Sequence, residues 1–327
     1  MDAVIAEAWI SAGEPADELD SLAVWPTPEG GIWLIATGKA SNTLAVYDAE
    51  DGTRLRSVGG PGTGPLQFDR PNGVAVYGEL LFVTERDNHR VQVLRLPDFT
   101  HVAMIGASVL QVPYGLWVQE IRPDVLEVFV TDSFMADFAT RKLPPMEQLD
   151  QRVKRFEVQL EADGSLQSRA LGAFGDTGEA GALRMVESIA GDSAHDRLLI
   201  ADEDVRVGST LRDYSLDGRF RDQSLPPFVA DAEGIALWAC DAEEGYWIAV
   251  DQLQPTVFRV FDRRSLQPRK TFSGEVVANT DGQALYAVGT PRFPAGALFA
   301  LHDDRAIVAF DLRDVARALG LSERCVQ

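Results

Sequence analysis

One short sequence pattern recurs six times along the chain: a polar residue, a small residue and then an apolar strand. The copies begin at Asp20, Asn72, Tyr114, Glu187, Glu233 and Asp281. They start 52, 42, 73, 46 and 48 residues apart, and every interval but the third is typical of a four-stranded propeller blade. We therefore predict an all-β fold, a six-bladed β-propeller. We expect a single domain over residues 1–327, because the repeats leave no linker.

Three segments lie outside this repeat. The long third interval carries an insertion at residues 134–151, which is predicted to form a loop with a helical turn over one face of blade three. The opening strand at residues 3–10 has no repeat of its own. We predict that it pairs with the last blade and closes the ring, because an open sheet edge favours unwanted pairing. Residues 313–321 predict a short amphipathic helix.

The charge of the chain restricts its partners. It carries 30 Lys and Arg against 50 Asp and Glu, a formal net charge of −20. This balance argues against a nucleic-acid partner, because phosphate backbones require basic surfaces, and against docking on anionic membranes. No apolar run reaches the length of a transmembrane helix. We expect a monomer.

The start of the chain shows no signal-peptide pattern of a basic segment followed by an apolar one. Two locations stay open on this basis. The protein is cytoplasmic, or it is extracellular or periplasmic if a leader has been removed.

Residues that bind soft or borderline metals are few. Cys240 lies in a predicted strand and Cys325 in a terminal segment expected to be mobile, so we predict two free thiols. The four histidines form no zinc-ligand pattern. Any metal site in this chain is therefore predicted to use oxygen ligands.

Two columns of the repeat alignment meet on one face of a propeller. The start of the first strand of a blade and the end of its second strand lie on the same side, because the two strands are antiparallel. The first column contains the six residues that begin the copies, and the second reads Lys39, Arg86, Ser133, Glu203, Gln252 and Asp303. Asp17, Asp202, Asp231, Asp251 and Asp304 add carboxylates nearby. We predict a channel mouth that is acidic over blades four to one and basic at Lys39 and Arg86.

The mutual repulsion of carboxylates that converge in this way must be compensated. At 4 to 6 Å each pair repels by about 1 to 4 kcal/mol. Oxygen-only clusters suit Ca²⁺, which takes six to eight oxygen ligands, and the neighbouring cations suit a phosphate. The alternative is that acidic residues simply end the strands on a solvated rim.

With the repeat in place, the chain resembles the β-propeller phytases, which are calcium-dependent phosphatases of inositol phosphates. The segments that carry the resemblance are DELDSLAVW (17–25), ATGKASNTLAVYD (36–48), VESIAGDSAHDRLLIADED (186–204), DAEGIALW (231–238), NTDGQALY (279–286) and PAGALFALHDD (294–304). The resemblance implies several calcium ions, held by Asp17, Asp20, Glu187, Glu203, Asp231, Glu233, Asp281 and Asp303. It also implies that Lys39, Arg86 and Tyr114 lie beside the substrate phosphates, and we assign catalysis to these three residues and Glu187. The expected reaction is phosphate release from phytate or lower inositol phosphates by a water that calcium activates.

The chain departs from the family pattern at several positions. Ser21 replaces the second aspartate of the opening motif, Ala40 replaces the second of two lysines, and Ser188 replaces a glycine. In blade three, Ser133 stands where the family has a lysine. Arg141 and Lys142 in the insertion are candidates to replace it.

Two other functions stay open. Residues 59–94 resemble an NHL-type propeller repeat, and NHL propellers are often binding modules. On this interpretation the chain is a non-catalytic propeller that binds a protein or an anionic ligand, and Arg86 with Asp87 only fixes a turn. The third hypothesis is a calcium-dependent lactonase of the gluconolactonase type, which is also a six-bladed propeller.

Overall fold

The computed structural model describes residues 1–326, and six sheets contain nearly all of its strands. Blade one consists of Leu19–Pro26, Ile32–Gly38, Thr43–Asp48 and Arg54–Val58, and blade two of Pro71–Tyr77, Leu80–Glu85, Arg90–Arg95 and Thr100–Ile105. Blade three consists of Pro113–Arg122, Val125–Asp132, Val153–Leu160 and Leu166–Phe174, and blade four of Val186–Asp192, Arg197–Asp202, Thr210–Tyr214 and Phe220–Ser224. Blade five consists of Ala232–Ala239, Gly245–Asp251, Val257–Asp262 and Pro268–Ser273, and blade six of Gln283–Tyr286, Ala297–His302 and Ala306–Asp311 with Trp9–Ile10. The all-β fold and the six-bladed β-propeller predicted from the repeat are confirmed.

Each blade is a meander in which neighbouring strands are antiparallel. The second strands are almost entirely buried, as Leu80–Glu85 and Arg197–Asp202 show along their whole length. The outer strands are more exposed, so the apolar runs of the sequence correspond to the middle of each blade. Burial of these runs between blades is the main source of stability for the fold.

The N-terminal residues form two short strands instead of one. Trp9–Ile10 pairs antiparallel with Ala306–Asp311 and completes blade six, which confirms the predicted closure. Ala3–Val4 instead pairs parallel with Pro268–Ser273 of blade five, which corrects the prediction of a single strand. Between them, the Glu7 carboxylate accepts hydrogen bonds from the backbone N–H groups of residues 275–277 and redirects the chain.

The chain ends in an α-helix, Leu312–Leu319, and a 3₁₀-helix, Glu323–Val326. Asp311 caps the α-helix by accepting a hydrogen bond from the Arg313 N–H, and Gly320 ends it at a φ of 63°. The buried face of the helix contains Leu312, Val315, Ala316 and Leu319, as expected from its amphipathic pattern. Two further short strands, Gly60–Pro61 and Gln67–Phe68, pair in parallel, and Ser193–His195 forms a 3₁₀ turn.

The prediction of two free thiols is wrong. Cys240 and Cys325 form a disulfide bond, with their Cα atoms 4.3 Å apart. The terminal segment is not loose, because the 3₁₀-helix folds back and leaves Cys325 only 7% exposed. The backbone N–H of Ser322 also donates to the Tyr246 hydroxyl at 3.1 Å.

The chain divides into two compact units. The central unit spans residues 58–227 and contains blades two, three and four. The terminal unit spans residues 1–57 and 228–326 and contains blades one, five and six with the C-terminal helices. Among residues 1–326, no helix combines the length and apolar character needed to cross a membrane.

Candidate functional site

In the central unit, two buried threonines bind residues near the start of the first strand of a blade, which we call the inner strand. Thr131 accepts a hydrogen bond from the Gly115 N–H at 2.8 Å and donates to the Glu187 carbonyl of the next blade at 2.6 Å. Thr84 acts in the same way in blade two, with the Gly73 N–H at 2.7 Å and the Tyr114 carbonyl as partners. These threonines thus link the inner strand of blade two to that of blade three, and the inner strand of blade three to that of blade four, near the start of each strand.

Steric crowding at these contacts explains why the second position of the repeat is a small residue. A Cβ atom on Gly115 would lie 2.6 Å from the Glu187 carbonyl oxygen. In the terminal unit, a Cβ atom on Gly282 would lie 2.6 Å from the Asp20 carbonyl oxygen. Glycine therefore permits the close approach of inner strands that brings the polar residues of a column together.

Two carboxylates of blade four converge in the central unit. Oxygen atoms of Glu187 and Glu203 lie within 4.8 Å of each other. Glu203 is only 9% exposed, and its N–H donates to the Met185 carbonyl at 2.9 Å, which fixes its backbone at the end of the second strand. Paired carboxylate oxygens at this separation fit a hard divalent cation such as Ca²⁺, because a bound cation offsets their repulsion.

The same unit holds a guanidinium. Arg86 donates from Nε and Nη2 to the two oxygens of Asp87, at 2.7 and 3.0 Å, and it also hydrogen-bonds with Tyr114. Burial acts to lower the pKa of Arg86, but Asp87 and Tyr114 outweigh it, so the pKa stays above its usual value. Arg86 is therefore a fixed and permanently charged group at the end of a second strand, and its partner Tyr114 lies near the start of blade three.

A different cluster forms in the terminal unit. The Lys39 ammonium lies 3.1 Å from Asp20, 2.9 Å from Asp281 and 3.7 Å from Asp304; we call these four residues the Lys39 cluster. Burial acts to lower the pKa of Lys39, but the three carboxylates raise it overall. Burial and the neighbouring Asp20 charge raise the pKa of Asp281 to about 7. The ammonium thus balances Asp20 and Asp281, which the resemblance assigns to calcium, together with Asp304.

The remaining predicted ligands have varied surroundings. Asp17 forms an ion pair with Arg54 at 2.7 Å, and Asp303 accepts from Asn279 at 2.8 Å and from Arg305 at 3.1 Å. Asp231 and Glu233 flank the start of the first strand of blade five, and Glu233 is 8% exposed. Metal binding by these residues stays a prediction.

Reasoning from the sequence missed Phe138. Its ring centroid lies 5.7 Å from the guanidinium carbon of Arg86, although the side chain belongs to the insertion of blade three. The repeat alignment has no column for an insertion, so no signal in the sequence could have assigned this residue to the site.

Comparisons with known proteins agree with this architecture. A family model of the NHL repeat matches residues 68–94, which cover most of the first three strands of blade two. No curated protein matches the chain in sequence. Among solved structures, the chain is similar to one titled Kuenenia stuttgartiensis hydrazine synthase, with 11% identity and a TM-score of 0.54 over 96% of this chain and 82% of that one. It is also similar to a chain of a nidogen/laminin complex, with 13% identity and a TM-score of 0.52 over 82% of this chain and 84% of that one. At such identities the likeness is one of fold, and blade two is similar to an NHL repeat.

Proposed function

We propose that the protein is a calcium-dependent phosphomonoester hydrolase, similar to the phytases, that releases phosphate from phytate or lower inositol phosphates. One observation carries the proposal: the central unit places a carboxylate pair, Glu187 and Glu203, and a guanidinium–phenol pair, Arg86 and Tyr114, on consecutive blades. The first pair has the chemistry of a cation site and the second that of a phosphate site. The sequence resemblance supplies the reaction type.

The residues of this chain have distinct roles in such a reaction. Glu187 and Glu203 would hold the cation, and Arg86 would bind phosphate oxygens while Asp87 keeps its guanidinium in one orientation. Tyr114 is placed to hydrogen-bond a phosphate oxygen. Bound Ca²⁺ would neutralise phosphate charge and make a water molecule a better nucleophile. The water oxygen bonds to phosphorus, the ester P–O bond breaks, and the leaving oxygen takes up a proton.

Net charge does not exclude an anionic substrate. A chain of charge −20 repels phosphate at long range. A divalent ion at the carboxylate pair reverses the sign of the local field, because bound ions are often the largest charges in a site. This requirement for a metal is a direct consequence of the proposal and makes it testable.

A non-catalytic binding propeller is the second candidate. The NHL match over residues 68–94 favours it, and so does the Lys39 cluster, since Lys39 is bound to carboxylates. In that case Arg86 and Tyr114 bind an anionic group without hydrolysing it.

The deciding experiment measures inorganic phosphate released from phytate, with millimolar Ca²⁺ and after EDTA. We expect calcium-dependent release that falls strongly in Arg86→Ala and persists in Arg122→Ala, an exposed arginine at the other end of blade three. Release that survives EDTA, or that is equal in both variants, would contradict the proposal. Absence of release together with binding of inorganic phosphate would favour the binding propeller, and hydrolysis of a lactone alone would identify the lactonase.

A further inference from the structure

The insertion of blade three contains a small hairpin. Residues 137–142 close on themselves, because the Lys142 N–H donates to the Asp137 carbonyl at 2.9 Å. The Asp137 carboxylate also accepts from the Ala139 N–H at 3.0 Å and from the Thr140 hydroxyl at 2.8 Å. These bonds define the turn that carries Phe138.

The base of the insertion is anchored in the core. Arg152 is fully buried and donates to four backbone carbonyls, including those of Phe134 at 2.6 Å and Leu183 at 2.9 Å. The Phe134 ring lies 4.5 Å from the same guanidinium, and Leu149 of the 3₁₀-helix Met146–Gln151 is also fully buried. The predicted loop with a helical turn is thereby confirmed, and it is held on both sides of the hairpin.

Phe138 is half exposed although it touches a charged group of the proposed site. Its side chain is 50% exposed, and the ring stands over Arg86 with 5.7 Å between the centroid and the guanidinium carbon. Arg86 is in turn held by Asp87 and Tyr114. One part of the ring contacts the cation that would bind phosphate, and another part is open for a ligand.

The central unit offers one phosphate-binding cation in the two columns of the repeat. Its three positions in the second column are Arg86, Ser133 and Glu203, so the columns give this unit one cation. One phosphate on Arg86 beside an open aromatic surface matches an ester with one charged end and one apolar end.

We propose that Phe138 is a specificity-determining residue that favours phosphate monoesters with a planar, apolar leaving group, such as phenyl esters. The inference rests on the proposed phosphatase activity and extends its substrates from inositol phosphates to aromatic monoesters. With the phosphate on Arg86, the phenyl ring packs against the open part of Phe138. Hydrolysis then forms a bond from water oxygen to phosphorus and breaks the bond from phosphorus to the phenolic oxygen, which leaves and takes up the proton.

The test compares kcat/KM for phenyl phosphate with kcat/KM for glycerol 2-phosphate. The ratio of the two cancels the difference in metal loading between variants. We expect the ratio to fall about two- to tenfold in Phe138→Ala, the range of an aromatic pair, and to be largely kept in Phe138→Tyr. Ile121→Ala is the matched control, an exposed apolar residue near the far end of the strand that starts beside Tyr114. Inhibition by inorganic phosphate should be unchanged in Phe138→Ala, which separates ring packing from a distortion of Arg86.

The outcomes separate the two proposals. A lowered ratio with unchanged phosphate inhibition supports the role of Phe138. If the wild type hydrolyses both esters and Phe138→Ala changes them equally, the role of Phe138 is overturned and the proposed function stands. If the wild type hydrolyses neither ester nor phytate, the proposed function is overturned and this inference with it.

Discussion

The Lys39 ammonium lies 2.9 Å from the Asp281 carboxylate and ties the second strand of blade one to the start of blade six. Both side chains are only 13% exposed. Gln252 of blade five also donates to Asp281, so three blades of the terminal unit meet at one carboxylate. A buried charge of this kind must keep its partner, because the cost of desolvation is otherwise uncompensated.

Removal of Lys39 should therefore destabilise the protein. Lys39→Ala leaves the carboxylates of Asp20 and Asp281 without their shared ammonium, and we expect a loss of about 3 to 5 kcal/mol in the free energy of unfolding. Urea denaturation at neutral pH measures it. The control is Lys270→Ala, which removes an exposed pair with Asp2 at 3.6 Å and should cost less than about 1 kcal/mol. Equal losses in the two variants would show that the Lys39 cluster contributes no more than a surface ion pair.

Backbone positions that come together are easier to predict from the repeat than the contacts of their side chains. The repeat period places Glu187 and Glu203 at corresponding points of one blade, and the structure brings their carboxylates together. Asp303 occupies an equivalent position but turns to Asn279 and Arg305. Such partners come from flanking segments that the repeat does not constrain.

Elements without a repeat were predicted least well. The position of Phe138 depends on how a unique insertion packs, and no periodicity describes it. The disulfide was missed for a related reason, because only the fold of the terminal segment brings Cys325 to Cys240. The closure by Trp9–Ile10 was predictable, since an apolar strand left over at one end has one obvious edge to cover.

The disulfide should contribute substantially to stability. It joins residues 85 positions apart, and a loop of that length predicts about 2 to 5 kcal/mol from the restricted unfolded chain. The double variant Cys240→Ser/Cys325→Ser should melt at a lower temperature than the oxidised wild type. A reductant should lower the melting temperature of the wild type and leave that of the double variant unchanged. Peptide mapping without reduction checks the pairing, and a wild type insensitive to a reductant that demonstrably opens the bond would contradict the expected contribution.

One ion pair of blade five predicts a specific pH dependence. Burial acts to raise the pKa of Asp262, but Arg269 at 2.6 Å and Ser265 lower it to about 2, below its usual value of 3.8. A depressed pKa stabilises the folded state above the unfolded pKa, and this stability is lost as pH falls from about 4 to about 2. The pair is largely solvent-facing, so we expect Asp262→Asn to cost up to about 1 kcal/mol at neutral pH.

The pH profile is the measurement that checks this assignment. Urea denaturation of the wild type and Asp262→Asn should give stabilities that approach each other below about pH 4 and converge at about pH 2. Arg269→Gln should also be less stable than the wild type at neutral pH, because it removes the cation that lowers the pKa of Asp262. A difference that stays constant from neutral to acidic pH would show that Asp262 acts through hydrogen bonds alone.

Calcium binding by the carboxylate pair of blade four should change the melting temperature. Without metal, Glu187 and Glu203 repel each other by about 1 to 4 kcal/mol, so Glu203→Gln should leave the stability unchanged or increase it. With Ca²⁺ at a hundred times its Kd, the wild type should gain about 2.7 kcal/mol, whereas Glu203→Gln should gain much less because one ligand oxygen has lost its charge. Glu147→Gln, an exposed carboxylate in the 3₁₀-helix of the insertion, should respond to calcium like the wild type. Calorimetric melting of the wild type and both variants, each with EDTA and with Ca²⁺, measures these differences. A calcium response in Glu203→Gln as large as that of the wild type would exclude this pair as the metal site.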